Sequence, residues 1–128
     1  MRLNEFTMAR IGEIPLVDSD EREYTSVVIV PMDELHDSGY KCMCFLFCDG
    51  DEIVCRSRGW SDVLHIDGIG GFGDWYGGEL PKKVDPKGWR IDCLPNGYLR
   101  LFGQYKIRTK GWDTSSYEIF GKSKKMNF

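Results

Sequence analysis

Between Asp67 and Gly78, six of twelve residues are glycine, and no other stretch limits the possible folds as strongly. Glycine costs a helix about 1 kcal/mol relative to alanine, and proline costs about 3. Pro81 follows within three residues of Gly78, so no helix is expected from 67 to 81. A strand-like run, Val63–Ile66, leads into the stretch. The backbone beyond it is free to use positive φ and to approach other groups closely.

The same stretch contains a literal G-x-G-x-x-G at Gly68, Gly70 and Gly73. Dinucleotide binding needs more than this spacing. The third glycine must open a helix within a βαβ unit, so that its N–H groups hold the pyrophosphate. Here Gly73 is followed by Asp74, Trp75, Tyr76, Gly77 and Gly78. No helix starts there, and the Asp74 carboxylate would repel phosphate. Asp92 lies nineteen positions past Gly73, but in a separate strand-like run. What remains is a long glycine-rich loop carrying aromatics. As a structural connection it would plug one end of a core with Phe72, Trp75 and Tyr76. As a binding loop it would present Gly70, Gly71, Phe72, Asp74, Trp75 and Tyr76 to a partner. Long loops of this kind are often functional.

The rest of the chain reads as short strands between turn residues. Asn4 is placed to cap a short helix running to Arg10, with Gly12 ending it; an edge strand is the alternative. Ile14–Val17 reads as extended, because Pro15 pushes its predecessor out of the α region. Tyr24–Val30 is rich in β-branched residues and apolar on both sides, as a central strand would be, and Pro31 is expected to end it. Met32–Leu35 suggests one helical turn, His36 a solvated loop, and Asp37-Ser38-Gly39 a return. Tyr40–Cys48 and Glu52–Arg58 flank Asp49-Gly50-Asp51, a hairpin signal. A two-residue Asp49-Gly50 loop would set Cys44 opposite Cys55.

Trp89–Leu94 and Tyr98–Phe102 flank Pro95-Asn96-Gly97. A three-residue loop with Gly97 in the left-handed region pairs Cys93 with Leu99, Ile91 with Leu101 and Asp92 with Arg100. That register sorts apolar from charged positions, and a two-residue loop does not. Tyr105–Thr109 and Ser115–Phe120 are joined by a turn at Lys110–Thr114, and Gly121–Phe128 is a basic tail. No internal repeat is visible. About eight short strands with glycine-rich turns predict an all-β, mainly antiparallel single domain over residues 1–128. A barrel or sandwich with at most one or two short helices is expected.

At 128 residues a single domain buries about two thirds of its unfolded surface, enough for a core without disulfide staples. No apolar run approaches the ~18 residues of a membrane span, and Met1–Glu5 leads into no signal-peptide core. A cytoplasmic protein is expected. The five cysteines, Cys42, Cys44, Cys48, Cys55 and Cys93, are an odd number, and reduced thiols are expected. Four lie within fourteen residues, a density that suggests zinc. In a strand, however, residues two apart hold their Cβ atoms ~7 Å from one another. Zn–S bonds of ~2.3 Å bring ligand sulfurs much closer than that. Core cysteine is the better reading, with no metal and no cofactor.

Net charge is −3, unevenly spread. Residues 1–81 hold 6 basic and 16 acidic side chains, and residues 82–128 hold 11 basic and 4 acidic. Either the two parts fold against each other and cancel, or the last third offers a basic surface to nucleic acid or an acidic protein. His65 and Asp67 share a strand face, an arrangement that orients a general base. No recognisable nucleophile motif accompanies them.

Three functions follow. The first is a non-enzymatic domain that binds another protein, in the manner of an inhibitor, an immunity protein or a phage-type antagonist; a homo-oligomer is compatible with it. The second is a small enzyme using His65 and Asp67 beside an anion-cradling glycine loop. The third is a weak nucleic-acid binder using the basic last third, with Trp112 and Tyr105 as stacking platforms. A sequence pI of about 5.4 disfavours the third.

Overall fold

The computed structural model describes residues 1–17, 22–35, 37, 39, 41–60, 65–66, 70–71, 90–94, 98–110 and 113–123. The strands are β1 (Glu23–Leu35), β2 (Lys41–Asp49), β3 (Glu52–Trp60) and β4 (His65–Ile66). They continue with β5 (Gly70–Gly71), β6 (Ile91–Cys93), β7 (Leu99–Lys110) and β8 (Asp113–Ser123). They join one sheet in the order β3-β2-β1-β7-β8-β4-β5, and β6 also pairs with β7. Every pairing is antiparallel except that of β4 with β8. The fold is therefore all-β and mainly antiparallel. The sheet is open: no pairing among the described residues joins β3 to β5, and the described strands form one sheet, so neither half of the expected barrel or sandwich is seen there.

β1 is central because its sequence leaves no polar face. Val27, Val28, Ile29 and Val30 are fully buried. Alternation sends Val27 and Ile29 to one side, with Met43, Phe45, Phe47, Leu101, Tyr105 and Ile107. Val28 and Val30 go to the other, with Cys44, Leu46 and Cys48. Each large side chain buried in this way contributes about 1.5–3 kcal/mol.

Pro31 does not end β1. It stands opposite Met43, and the strand runs on to Leu35 opposite Lys41 after a register irregularity. The reason lies in the neighbours. The last β1–β7 pair is Ile29 with Leu99, so among the described residues Pro31 is paired only on the β2 side. A residue without an N–H is tolerated there. The helical turn expected at Met32–Leu35 is accordingly strand, and His36 lies outside the described residues.

The N-terminal segment forms two 3₁₀ helices, Leu3–Glu5 and Met8–Glu13, instead of one α-helix. Asn4 lies inside the first and Gly12 inside the second, and neither acts as a cap. Phe6 and Ile14, with Met1, Leu3 and Ile11, pack on the face of Val28 and Val30. Main-chain bonds also tie the segment to the edge of β3. Leu3 donates to the Asp51 carbonyl at 2.8 Å, and Ile53 to that of Met1 at 2.9 Å. Val17 donates to the Arg56 carbonyl and Arg56 to that of Pro15, both at 2.8 Å. Ile14–Val17 is extended as expected, and it covers part of an edge strand.

The β2–β3 hairpin departs from the sequence expectation. Asp49 pairs with Glu52, so the loop is Gly50-Asp51, with Gly50 at φ +59°. A bulge between Phe47 and Cys48 then sets Cys55 opposite Phe47 and Cys44 opposite Arg58. Cys44 and Cys55 belong to opposite faces. The turn is held from outside the hairpin: Gly50 N–H donates to Thr25 Oγ1 at 2.8 Å, and Arg100 reaches Asp51 Oδ1 at 2.9 Å. Arg100 also donates to the Gly50 carbonyl and to Ser26 Oγ.

The β6–β7 hairpin has the expected register, with Ile91 opposite Leu101, Asp92 opposite Arg100 and Cys93 opposite Leu99. β7 then continues without a break to Lys110, and β8 extends through Gly121 to Ser123, into the segment read as a tail. Two stability outcomes follow. Leu101 is fully buried whereas Ile91 is only partly so, and Leu101→Ala should cost about 2–5 kcal/mol. Ile91→Ala should cost clearly less in the same urea titration. Ser57 Oγ is buried with no hydrogen-bond partner among the described residues, so Ser57→Ala should leave the denaturation midpoint unchanged or raise it.

Candidate functional site

The glycine-rich stretch enters the sheet at its end. His65 pairs with Gly71 and Ile66 with Gly70, making β4 and β5 a short antiparallel ladder. On its other side β4 runs parallel to β8, with His65 opposite Phe120 and Ile66 opposite Gly121. β5 is thus the terminal strand of the sheet order. Its outer edge has no strand partner among the described residues. An unpaired edge offers a row of N–H and C=O groups to another chain, and glycine adds no side chain to obstruct the approach.

Of the sequence candidates, His65, Gly70 and Gly71 are thereby brought together on adjoining strands. Asp67, Phe72, Asp74, Trp75 and Tyr76 lie outside the described residues. So does Trp112, whereas Tyr105 is fully buried in the core and is no stacking platform. No local pattern shows that β4 lies parallel to β8, since the two are far apart in the chain.

The opposite end of the sheet is occupied differently. The edge of β3 is covered at Asp51–Arg56 by the N-terminal segment. Arg58, further along β3, is exposed and pairs with Glu34. One end of the sheet order is partly closed by the chain itself, and β5 stands at the other.

Among the described residues several charges meet across strands. Arg100 from the basic part meets Asp51 from the acidic part, and Lys106 meets Glu23 at 3.5 Å. Arg90 approaches Asp92 at 3.7 Å. By register Arg108 stands opposite Glu118 and Lys110 opposite Asp113. The two oppositely charged parts of the chain do fold against each other. One group of side chains was missed in the sequence: Arg90 and Arg100 both lie over the Phe102 ring, at 3.8 and 4.5 Å from its centre. The alternation of Arg100, Phe102, Gln104 and Lys106 with apolar residues was its visible trace.

Cys42, Cys44, Cys48 and Cys55 are buried and form no disulfide among the described residues. Burial pushes the Cys44 and Cys48 thiols up to about 11, despite the opposing fields of Arg56 and Arg58 at Cys44 and of Arg100 at Cys48. Both therefore stay protonated at neutral pH, without the thiolate that nucleophilic chemistry uses. No group of three or more potential metal ligands occurs among the described residues. No helix there is long and apolar enough to cross a membrane. Comparison of the chain with protein-family models, with curated proteins and with solved structures finds no match.

The raised thiols give a pH prediction. Both groups hold their protons more tightly in the folded state than the ordinary value of 9.0. Below pH 9 neither state ionises and stability is unaffected. Between pH 9 and about 11 the unfolded chain ionises first, so stability should fall over that window. Urea midpoints should decline there in the parent, and decline less in Cys44→Ala and Cys48→Ala.

Proposed function

We propose that the protein is a non-enzymatic binding domain that recognises another protein, in the manner of an inhibitor, an immunity protein or a phage-type antagonist. The observation that carries this reading is the position of β5, a glycine strand at the end of the sheet with no strand partner on its outer edge among the described residues. A partner segment added there gains main-chain hydrogen bonds, the mode known as β-augmentation. The neighbouring Phe72, Asp74, Trp75 and Tyr76 supply the side-chain contacts, and aromatic residues commonly dominate such interfaces.

Crosslinking in cells that express the protein identifies the partner, and binding is then measured with both proteins purified. Trp75→Ala and Tyr76→Ala should each weaken binding by about thirtyfold or more, with little change in melting temperature. Proline at whichever of Gly70 and Gly71 turns its N–H away from β4 should do the same, because it removes the donor a docked strand would use. If Trp75→Ala and Tyr76→Ala both unfold the protein, or both bind unchanged, the stretch is structural and the reading fails.

A further inference from the structure

The tip of the β2–β3 hairpin places an aspartate directly before a glycine, Asp49-Gly50. This pair is chemically labile. The glycine nitrogen can attack Cγ of the aspartate. A new N–Cγ bond forms, the nitrogen gives up its proton, the Cγ–O bond breaks and water leaves. Glycine favours the step because it sets no side chain beside the attacking nitrogen. Water then opens the five-membered succinimide at either carbonyl. One route restores aspartate. The other gives isoaspartate, in which the main chain runs through the former side chain and is one methylene longer. Water is the only other reactant.

Both reacting groups are tied in the folded chain. Gly50 N–H donates to Thr25 Oγ1 at 2.8 Å. Thr25 Oγ1 gives its own proton to the Cys48 carbonyl at 3.2 Å, so it meets Gly50 with a lone pair. The nitrogen that must shed its proton and turn towards Cγ is therefore held by a side chain of β1. The Asp49 carboxylate accepts from Arg22 at 3.0 Å. That ion pair is exposed, with the two side chains 45% and 56% accessible, and such pairs restrain weakly. Thr25, by contrast, holds the nucleophile itself. Asp49 is also the last β2 residue of the ladder, opposite Glu52, and Arg100 holds the Gly50 carbonyl and Asp51 beyond it.

We propose that Asp49-Gly50 is a latent isoaspartate site, kept closed by the Thr25 hydroxyl and opened when that hydrogen bond is lost. The extra methylene would fall at the final pair of the β2–β3 ladder and carry Gly50 and Asp51 away from Arg100. The site lies at the hairpin tip and is independent of the binding reading of β5.

The test ages full-length protein in heavy-oxygen water at neutral pH and body temperature, folded and in guanidinium chloride, with Thr25→Val and Thr25→Ser alongside. Each hydrolysis leaves one heavy oxygen. Electron-transfer fragmentation of peptides then locates isoaspartate at residue 49 and separates it from products at Asp67-Gly68 and Asn96-Gly97. Valine keeps the β-branched shape without the oxygen, and serine keeps the oxygen. Folded Thr25→Val should form isoaspartate at residue 49 about fivefold faster than the folded parent, the factor given by losing one hydrogen bond of ordinary strength. Thr25→Ser should stay near the parent, and all three should react alike and faster in denaturant. Parental rate in folded Thr25→Val overturns the proposal. So does Thr25→Ser reacting as fast as Thr25→Val, which would make the shape of the residue and not its hydroxyl the restraint. If Thr25→Val does not fold, the parent still decides: reaction at residue 49 as fast in the folded state as in denaturant overturns the proposal.

Discussion

The structure depends on β1 being paired along both edges and buried on both faces. Only a backbone whose N–H and C=O groups are taken up by neighbours can lie that deep without a large penalty. β2 supplies the bonds on one side and β7 on the other. From that requirement come two hydrophobic layers, one on each face. Where β7 stops pairing, beyond Ile29, the constraint relaxes on one edge, and Pro31 occupies the first residues of that freedom.

The face of Val28 and Val30 is finished by different means along its width. The side of Val28 and Val30 is covered by the N-terminal 3₁₀ segment over β1–β3. Along β7 the same side becomes polar, with Arg100, Phe102, Gln104 and Lys106. Arg100 marks the boundary between these regions. Its guanidinium joins the turn of the β2–β3 hairpin to Ser26 of β1 from a position on β7. One nearly buried side chain thereby ties the β2–β3 turn to β1 and β7, and its charge is compensated by Asp51.

The ends of the sheet differ in the same spirit. At β3 the chain covers its own edge with residues on either side of the 3₁₀ segment, a common protection against unwanted pairing. At β5 two glycines form the last strand. Glycine is a poor choice for a strand valued only for stability, because it loses the most backbone entropy on ordering. This contrast motivates the view of β5 as a docking edge.

By itself, the sequence determined the all-β class, the central position of Val27–Val30 and the register of the β6–β7 hairpin. These rest on short-range physics: β-branched runs, alternation of apolar and charged residues, and a turn whose glycine position admits one sensible pairing. Tertiary structure alone decided the rest. Whether Pro31 ended its strand depended on where β7 stopped. The register of Cys44 and Cys55 depended on a bulge, and on Thr25 and Arg100 reaching the turn from other strands. Of the candidate site, the sequence marked His65, Gly70 and Gly71 as neighbours of a glycine-rich stretch. It did not show that β8, half a chain away, would lie parallel to β4 and leave β5 outermost. Nor did it show Arg90 over Phe102, a contact made where β6 pairs with β7. Long-range pairings are settled by how whole strands share their edges and faces, and no local pattern encodes that sharing.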